Sequence, residues 1–158
     1  MTTSALHIQR SGSLLEADAE ALVNPVNTVG VMGQGLALQF MHRFPEMFED
    51  YQNACQKGLL TPGRMHTYET GFPRNPRFII NFPTKRHWRE PSRIEDVESG
   101  LRALADEICV RGIKSIAVPA LGCGNGGLEW QQVLPLIQSY LGHLTDVEFI
   151  VFPPKGPN

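Results

Sequence analysis

Two stretches of this chain follow one plan. "ALVNPV" (Ala21–Val26) is apolar and β-prone, and it runs into "NTVGVMGQG", with Gly30, Gly33 and Gly35, ahead of a helical pattern. "SIAVPAL" (Ser115–Leu121) runs into "GCGNGGLEW", with Gly122, Gly124, Gly126 and Gly127, again ahead of a helical pattern. Strand, glycine loop and helix in that order belong to α/β folds, where ligands bind at the carboxyl ends of the strands. Glycines there let main-chain N–H groups turn inward towards an anion, and the helix N-terminus adds a favourable dipole. Two such loops at one end of a sheet suit a diphosphate, gripped from both sides. Taken singly, each loop is equally a tight turn that needs positive φ. Gly122, Gly124 and Gly127 also fit G-x-G-x-x-G. Only one strand follows them, however, and Asp146 precedes that strand instead of ending it, which argues against a dinucleotide fold. No G-x-x-x-x-G-K-[ST] is present, which argues against a nucleotide triphosphatase.

The remaining pattern alternates in the same way. Strands are expected at Ala5–Gln9, "MHTYET", "RFIINF" and "VEFIVF" (Val147–Phe152), with a turn at "GFPRNP". Helices are expected over Gly35–Phe44 and Pro45–Gly58, the second with Pro at its first position and Gly58 at C′. Ser92 and Glu95 spell a capping box for a helix ended by Gly112, with apolar Ile94, Val97, Leu101, Leu104 and Ile108 at helical spacing. Glu129–Gly142 reads as a helix, kinked at Pro135, with Glu129 as a first-turn acid. The expected fold is a three-layer α/β/α sandwich with a mixed, largely parallel sheet.

The length of 158 residues suits one domain, taken as 1–153, with 154–158 as a tail or the start of a linker. No apolar run approaches the ~20 residues needed to cross a bilayer. The N-terminus lacks a basic-then-apolar signal pattern, so the domain is read as cytoplasmic and monomeric, without a membrane partner. Cys55, Cys109 and Cys123 are odd in number and never form C-x-x-C, against a disulfide framework. The five histidines lack metal-ligand spacing, so neither a metal nor a cofactor is expected.

One further stretch carries chemistry. In "FIINFPTKRHW" (Phe78–Trp88) an apolar strand is stopped by Pro83, and Lys85, Arg86 and His87 follow at its tip. From Arg74 to Arg93 there are six basic residues (Arg74, Arg77, Lys85, Arg86, Arg89, Arg93) against Glu90, although the whole chain has a net charge of −2. Arg86, His87, Trp88 and Arg89 are the candidate nucleic-acid contacts, since cations beside an aromatic track a single strand and stack a base. By charge alone, a solvated loop without a ligand is the favoured reading of the same stretch. Trp88 either stacks on a base or covers the core, and Trp130 reads as core. Cys123 has no histidine placed to activate it. Asn24 reads as structural, and His66, His87 and His143 as surface residues.

"LVNPVNTVGVMGQGLALQF", "VPALGCGNGGLEW" and "TKRHWREPSRIEDVESGLRAL" together resemble the macrodomains, α/β/α sandwiches that bind ADP-ribose, from about Ile8 to Phe152. "VNTVGVMGQGLALQF" and "NFPTK" resemble their DarG branch, antitoxins that remove ADP-ribose from thymidine bases in single-stranded DNA and so reverse the transferase toxin DarT. The resemblance implies a hydrolase of ADP-ribosylated DNA, with DarT as partner of the full-length protein. Hydrolysis of ADP-ribose on protein side chains, or binding without chemistry, are the alternatives.

The resemblance also implies roles. Lys85 matches the catalytic lysine, and Asn27 the asparagine at the far ribose, where its amide offers both donor and acceptor. Val31, Met32, Gly33 and Gly35 match the first diphosphate loop. Gly122, Cys123, Gly124, Asn125, Gly126, Gly127 and Leu128 match the second. Ser13, Leu14, Phe152 and Pro153 fall at the adenine. Ser13 departs from the family's aspartate, which leaves adenine selectivity open. Gly126 stands near where the protein-directed branch has an aspartate. Lys85 has two routes: attack on the ribose carbon by a neutral amine with Arg86 and His87 as cationic neighbours, or proton donation to thymine as it leaves. The second is favoured.

Overall fold

The computed structural model describes residues 6–155, so expectations for Ala5 and for 156–158 lie outside the described residues. The strands are β1 (Leu6–Ile8), β2 (Ala21–Asn27), β3 (His66–Glu69), β4 (Phe78–Lys85), β5 (Ser115–Val118) and β6 (Glu148–Val151). The helices are α1 (Gly35–Arg43), α2 (Pro45–Gln56), α3 (Ile94–Arg111) and α4 (Trp130–Leu141). The strands form one sheet in the order β1-β6-β5-β2-β4-β3, parallel except for the antiparallel β3–β4 pair.

Alternation along β2 divides the interior. Ala21 and Val23 face one core with Ile80, Phe82 and the apolar stripes of α3 and α4. Leu22 and Val26 face the other, with Phe40, Met47 and Tyr51 of α1 and α2. The chain is thus the three-layer α/β/α sandwich its alternating pattern implies. In α3 the buried stripe includes Gly100, whose Cα lies against the Phe82 ring so that any side chain would strike it. Gly112 ends α3 at φ +64, and Gly58 follows α2 at φ +69, both in the left-handed region that glycine adopts freely. Among the described residues, no helix is long and apolar enough to cross a membrane.

Several local expectations are corrected. Pro83 does not stop β4, which continues to Lys85. β3 begins opposite Asn81, so beyond that residue β4 has a neighbour on one side only, and a missing N–H is tolerated there. Ser92 does not cap α3. Arg93 is the N-cap residue without a side-chain bond, while the Ser92 N–H donates to the Gly126 carbonyl at 2.9 Å. Glu129 is likewise the residue before α4 rather than part of its first turn, and α4 runs unbroken through Pro135. The strand expected over Ser115–Leu121 is also shorter, ending at Val118.

Candidate active site

β2 and β5 pair only at Ala21–Ile116 and Leu22–Ala117. Beyond that they part, and Pro25 and Pro119 line the opening. The crossovers from these two strands run in opposite directions across the sheet, so the opening is its topological switch point. A cleft of about 1390 Å³ lies there, larger than the ~300–1,000 Å³ of sites for drug-sized ligands.

The two glycine loops form its walls. Val31, Met32, Gly33 and Gly35 line one side, and Gly122, Cys123, Gly124, Asn125 and Gly126 the other. Gly127 and Leu128 do not line it. Gly127 adopts φ +81 to end a short 3-10 turn over Gly124–Gly126, and the Leu128 N–H returns to the Gly122 carbonyl at 2.9 Å. Both shape the loop from behind. Ser13, Leu14, Phe152 and Pro153 line the β1–β6 end. The Ser13 hydroxyl accepts from the Leu15 N–H at 3.2 Å, which leaves its own proton available to a ligand.

Lys85 and Asn27 are register partners on adjacent parallel strands, with a bulge between Val26 and Asn27. The bulge leaves Thr84 without a partner and re-aims the tip of β4. Lys85 reaches the cleft, and its ammonium nitrogen donates to the Trp88 carbonyl at 3.4 Å. Asn27 differs from its expected double use. Its Oδ1 accepts from the N–H groups of Val29 (3.1 Å) and Val31 (3.4 Å), and its Nδ2 donates to the Val31 carbonyl at 2.8 Å. The Tyr51 hydroxyl lies 2.9 Å from the same Oδ1 and 2.8 Å from the Asn27 main-chain carbonyl. Burial pushes the Tyr51 hydroxyl far up, so it stays a donor. The acceptor of Asn27 is therefore committed to the first loop, and one Nδ2 proton remains for a ligand.

The basic stretch does not form one surface. Arg74 and Arg77 precede β4 while Lys85 ends it and the rest follow, at opposite ends of a strand of eight residues, or roughly 25 Å. Arg86 is not a free cation either. It makes a two-pronged pair with buried Asp96 of α3, both contacts 3.1 Å, which holds its guanidinium even more firmly charged. Its main-chain carbonyl also accepts from the Thr28 hydroxyl at 2.7 Å, which ties the β4 tip to the first loop. Trp88 is 41% exposed at the cleft rim. His87 stacks on one side of it, ring centroids 5.3 Å apart, and the Arg89 guanidinium lies 4.5 Å from its ring centroid. Arg86, His87 and Arg89 lie outside the cleft lining.

Several contributors were not legible in the sequence. Gln9, Arg10, Gln34, Gln39 and Lys155 line the cleft, and Trp130 does so while also packing on the core. His66 is not a surface residue. Its Nε2 lies 2.9 Å from Asp50, its Nδ1 faces the Asn81 amide at 3.0 Å, and Asn81 accepts from Asn24 at 3.0 Å. Asn24 reaches on to the Met32 sulfur at 3.7 Å, so this polar ladder braces the first loop from beneath. The signal available for it was two asparagines, Asn24 and Asn81, inside otherwise apolar strands. Cys123 is half-buried, and burial together with Glu129 pushes its thiol up to about 11, against a nucleophilic role. Among the described residues no cluster of three or more His, Cys, Asp or Glu side chains could hold a metal ion.

Comparison with known proteins agrees with this geometry. The Macro domain family profile matches residues 23–137. A Mycobacterium tuberculosis protein named DNA ADP-ribosyl glycohydrolase is 51% identical over 146 residues, covering 92% of this chain and 42% of that relative. The chain therefore spans less than half the length of that relative. The solved macrodomain of M. tuberculosis DarG superposes with a TM-score of 0.92 at 50% identity, covering 95% of this chain and 99% of that one. Thermosipho africanus DarTG, solved in complex with ADP-ribose, matches with a TM-score of 0.80 at 40% identity, covering 90% of this chain and 40% of that one. With a sheet that opens at β2/β5 and two glycine loops on either side of that opening, the chain belongs to the macrodomain family.

Proposed function

We propose that this domain removes ADP-ribose from thymidine bases in single-stranded DNA, as the antitoxin half of a pair whose toxin, a DarT-type transferase, attaches it. The observation that carries this reading is the register pair of Asn27 and Lys85 at the edge of a cleft walled by two glycine loops. The relative's name, DNA ADP-ribosyl glycohydrolase, points the same way.

In this reading the diphosphate lies between the loops, adenine rests on Phe152 and Pro153, and the far ribose meets Lys85. The bond that breaks joins the ribose anomeric carbon to a thymine ring nitrogen. Lys85 donates a proton to the leaving base, water adds to the carbon, and the proton that the added water loses returns to the amine. The Trp88 carbonyl aims the amine, and the remaining Asn27 N–H orients the sugar. With Arg86 committed to Asp96, the route by amine attack lacks one of the two cationic neighbours it requires. Trp88, with His87 and Arg89 packed against its ring, forms with the Arg89 cation the rim that an incoming single strand would meet.

Gly126 favours DNA over protein as substrate. A side chain there would strike the Ser92 hydroxyl, so the second loop has no room for the carboxylate of the protein-directed branch. The test is release of ADP-ribose from an ADP-ribosylated oligonucleotide beside an ADP-ribosylated protein. Release from the oligonucleotide alone is expected; release from protein alone reverses the assignment, and release from neither, with ADP-ribose bound, makes the domain a receptor.

A further inference from the structure

Lys85 sits on a strand tip that the sheet itself holds poorly. β3 begins opposite Asn81, so from Phe82 to Lys85 the tip of β4 has a strand neighbour only on its β2 side. On that side Pro83 has no N–H to give, and the bulge leaves Thr84 without a register partner. A ladder with those gaps is a loose mount for an amine that must meet a reacting atom. Side-chain contacts take its place. Asn27 is gripped from the α2 layer, where the Tyr51 hydroxyl lies 2.8 Å from its carbonyl and 2.9 Å from its Oδ1. Arg86, next to Lys85, is gripped from the α3 layer on the opposite face of the sheet, through buried Asp96.

These two anchorages meet at one side-chain hydrogen bond. Thr28 follows Asn27, Arg86 follows Lys85, and the Thr28 hydroxyl donates to the Arg86 carbonyl at 2.7 Å, an ordinary length for O–H···O. The bond carries the β2–β4 pairing one residue past the Asn27–Lys85 register pair, where neither strand continues. Neither Thr28 nor Arg86 lines the cleft, so the bond acts through its neighbours and not on a ligand. We propose that Thr28 is a positioning residue: its hydroxyl sets the separation of Asn27 and Lys85, and with it the rate of bond cleavage, without adding to the grip on ADP-ribose. The inference rests on the reading of Lys85 as proton donor and Asn27 as orienting amide, and it extends that pair to a side chain outside the cleft. A proton donor displaced by about 1 Å can lose on the order of a hundredfold in rate. The diphosphate loop is held separately, because Asn27 itself bonds the N–H and the carbonyl of Val31.

The test compares Thr28→Val with Thr28→Ser. Valine keeps the shape and removes the hydroxyl; serine keeps the hydroxyl and removes the methyl group. The contact is solvent-exposed, so water satisfies the Arg86 carbonyl in the valine variant and Tm is expected to stay at the wild-type value. Single-turnover release of ADP-ribose from an ADP-ribosylated oligonucleotide is expected to slow about ten- to a hundredfold in Thr28→Val. ADP-ribose affinity by calorimetry and the enzyme concentration giving half-maximal rate should both be unchanged, and Thr28→Ser should keep most of the wild-type rate. Release at the wild-type rate by Thr28→Val overturns the proposal. So does equal slowing in both variants, which assigns the effect to the methyl group, or a parallel loss of ADP-ribose affinity, which makes the bond a brace of the diphosphate loop. In each of those cases the wild type still releases ADP-ribose and the proposed function stands. No release by the wild type removes the proposed function, and the positioning role with it.

Discussion

At the scale of single residues, Lys85 is the side chain whose removal is expected to separate chemistry from binding. Lys85→Ala is expected to lower turnover about 10²- to 10⁴-fold while ADP-ribose affinity is retained, since a positioned proton donor contributes in that range. Turnover near wild type would remove the lysine from the mechanism. A probe of the diphosphate site must avoid strained glycines. Gly122 adopts φ +76 and a Cβ there would lie 2.6 Å from Leu128, so a substitution disturbs the loop whatever its charge. Gly33 lacks that constraint, and its nearest contact would be an ordinary 3.5 Å to Val31. Gly33→Glu is therefore expected to weaken ADP-ribose about ten- to a hundredfold by repulsion alone, and Gly33→Gln much less; equal losses would make the effect steric. Cys123, with its thiol raised to about 11, should react slowly with iodoacetamide at neutral pH compared with exposed Cys109. Fast neutral-pH labelling of Cys123 would contradict the burial argument.

At the scale of elements, the β4 tip and the start of α3 are joined by Arg86 and Asp96, which divides the basic loop into a structural and an accessible part. Arg86→Ala leaves Asp96 buried without its partner and is expected to lower Tm. Arg89→Ala should leave Tm unchanged and weaken use of an oligonucleotide substrate, more at low salt than at high. The reverse pattern would exchange their roles. Gly100→Ala tests the α3–β4 contact: the gain in helix propensity is outweighed by overpacking against Phe82, for a net loss of about 1–3 kcal/mol in urea unfolding. Helix and strand positions were legible because apolar spacing repeats along them, as at Val97, Leu101, Leu104 and Ile108 in α3. Termini depended on contacts that spacing does not carry. Ser92 has the letters of a capping box, yet its N–H goes to Gly126 across the chain. Pro83 has the letter of a strand end, yet the open edge of β4 absorbs it.

At the scale of the whole molecule, the three-layer plan brings loops after β1, β2, β5 and β6 and the β4 tip to one end of the sheet. The paired glycine loops made this end legible, and the resemblance to macrodomains supplied Lys85 and Asn27. Tyr51, His66 and Arg10 were not legible, because what matters about them is what lies opposite in space. Tyr51 meets Asn27 from α2, and His66 reaches Asn81 from β3. In the proposed reading an extended ligand runs from the apolar floor at β1–β6, across the loops, to Lys85. A crystal structure with ADP-ribose tests this most directly. The anomeric carbon of the far ribose is expected within about 4 Å of Lys85 Nζ, with adenine on Phe152. A far ribose lying instead at the Arg10 end, distant from Lys85, would contradict it.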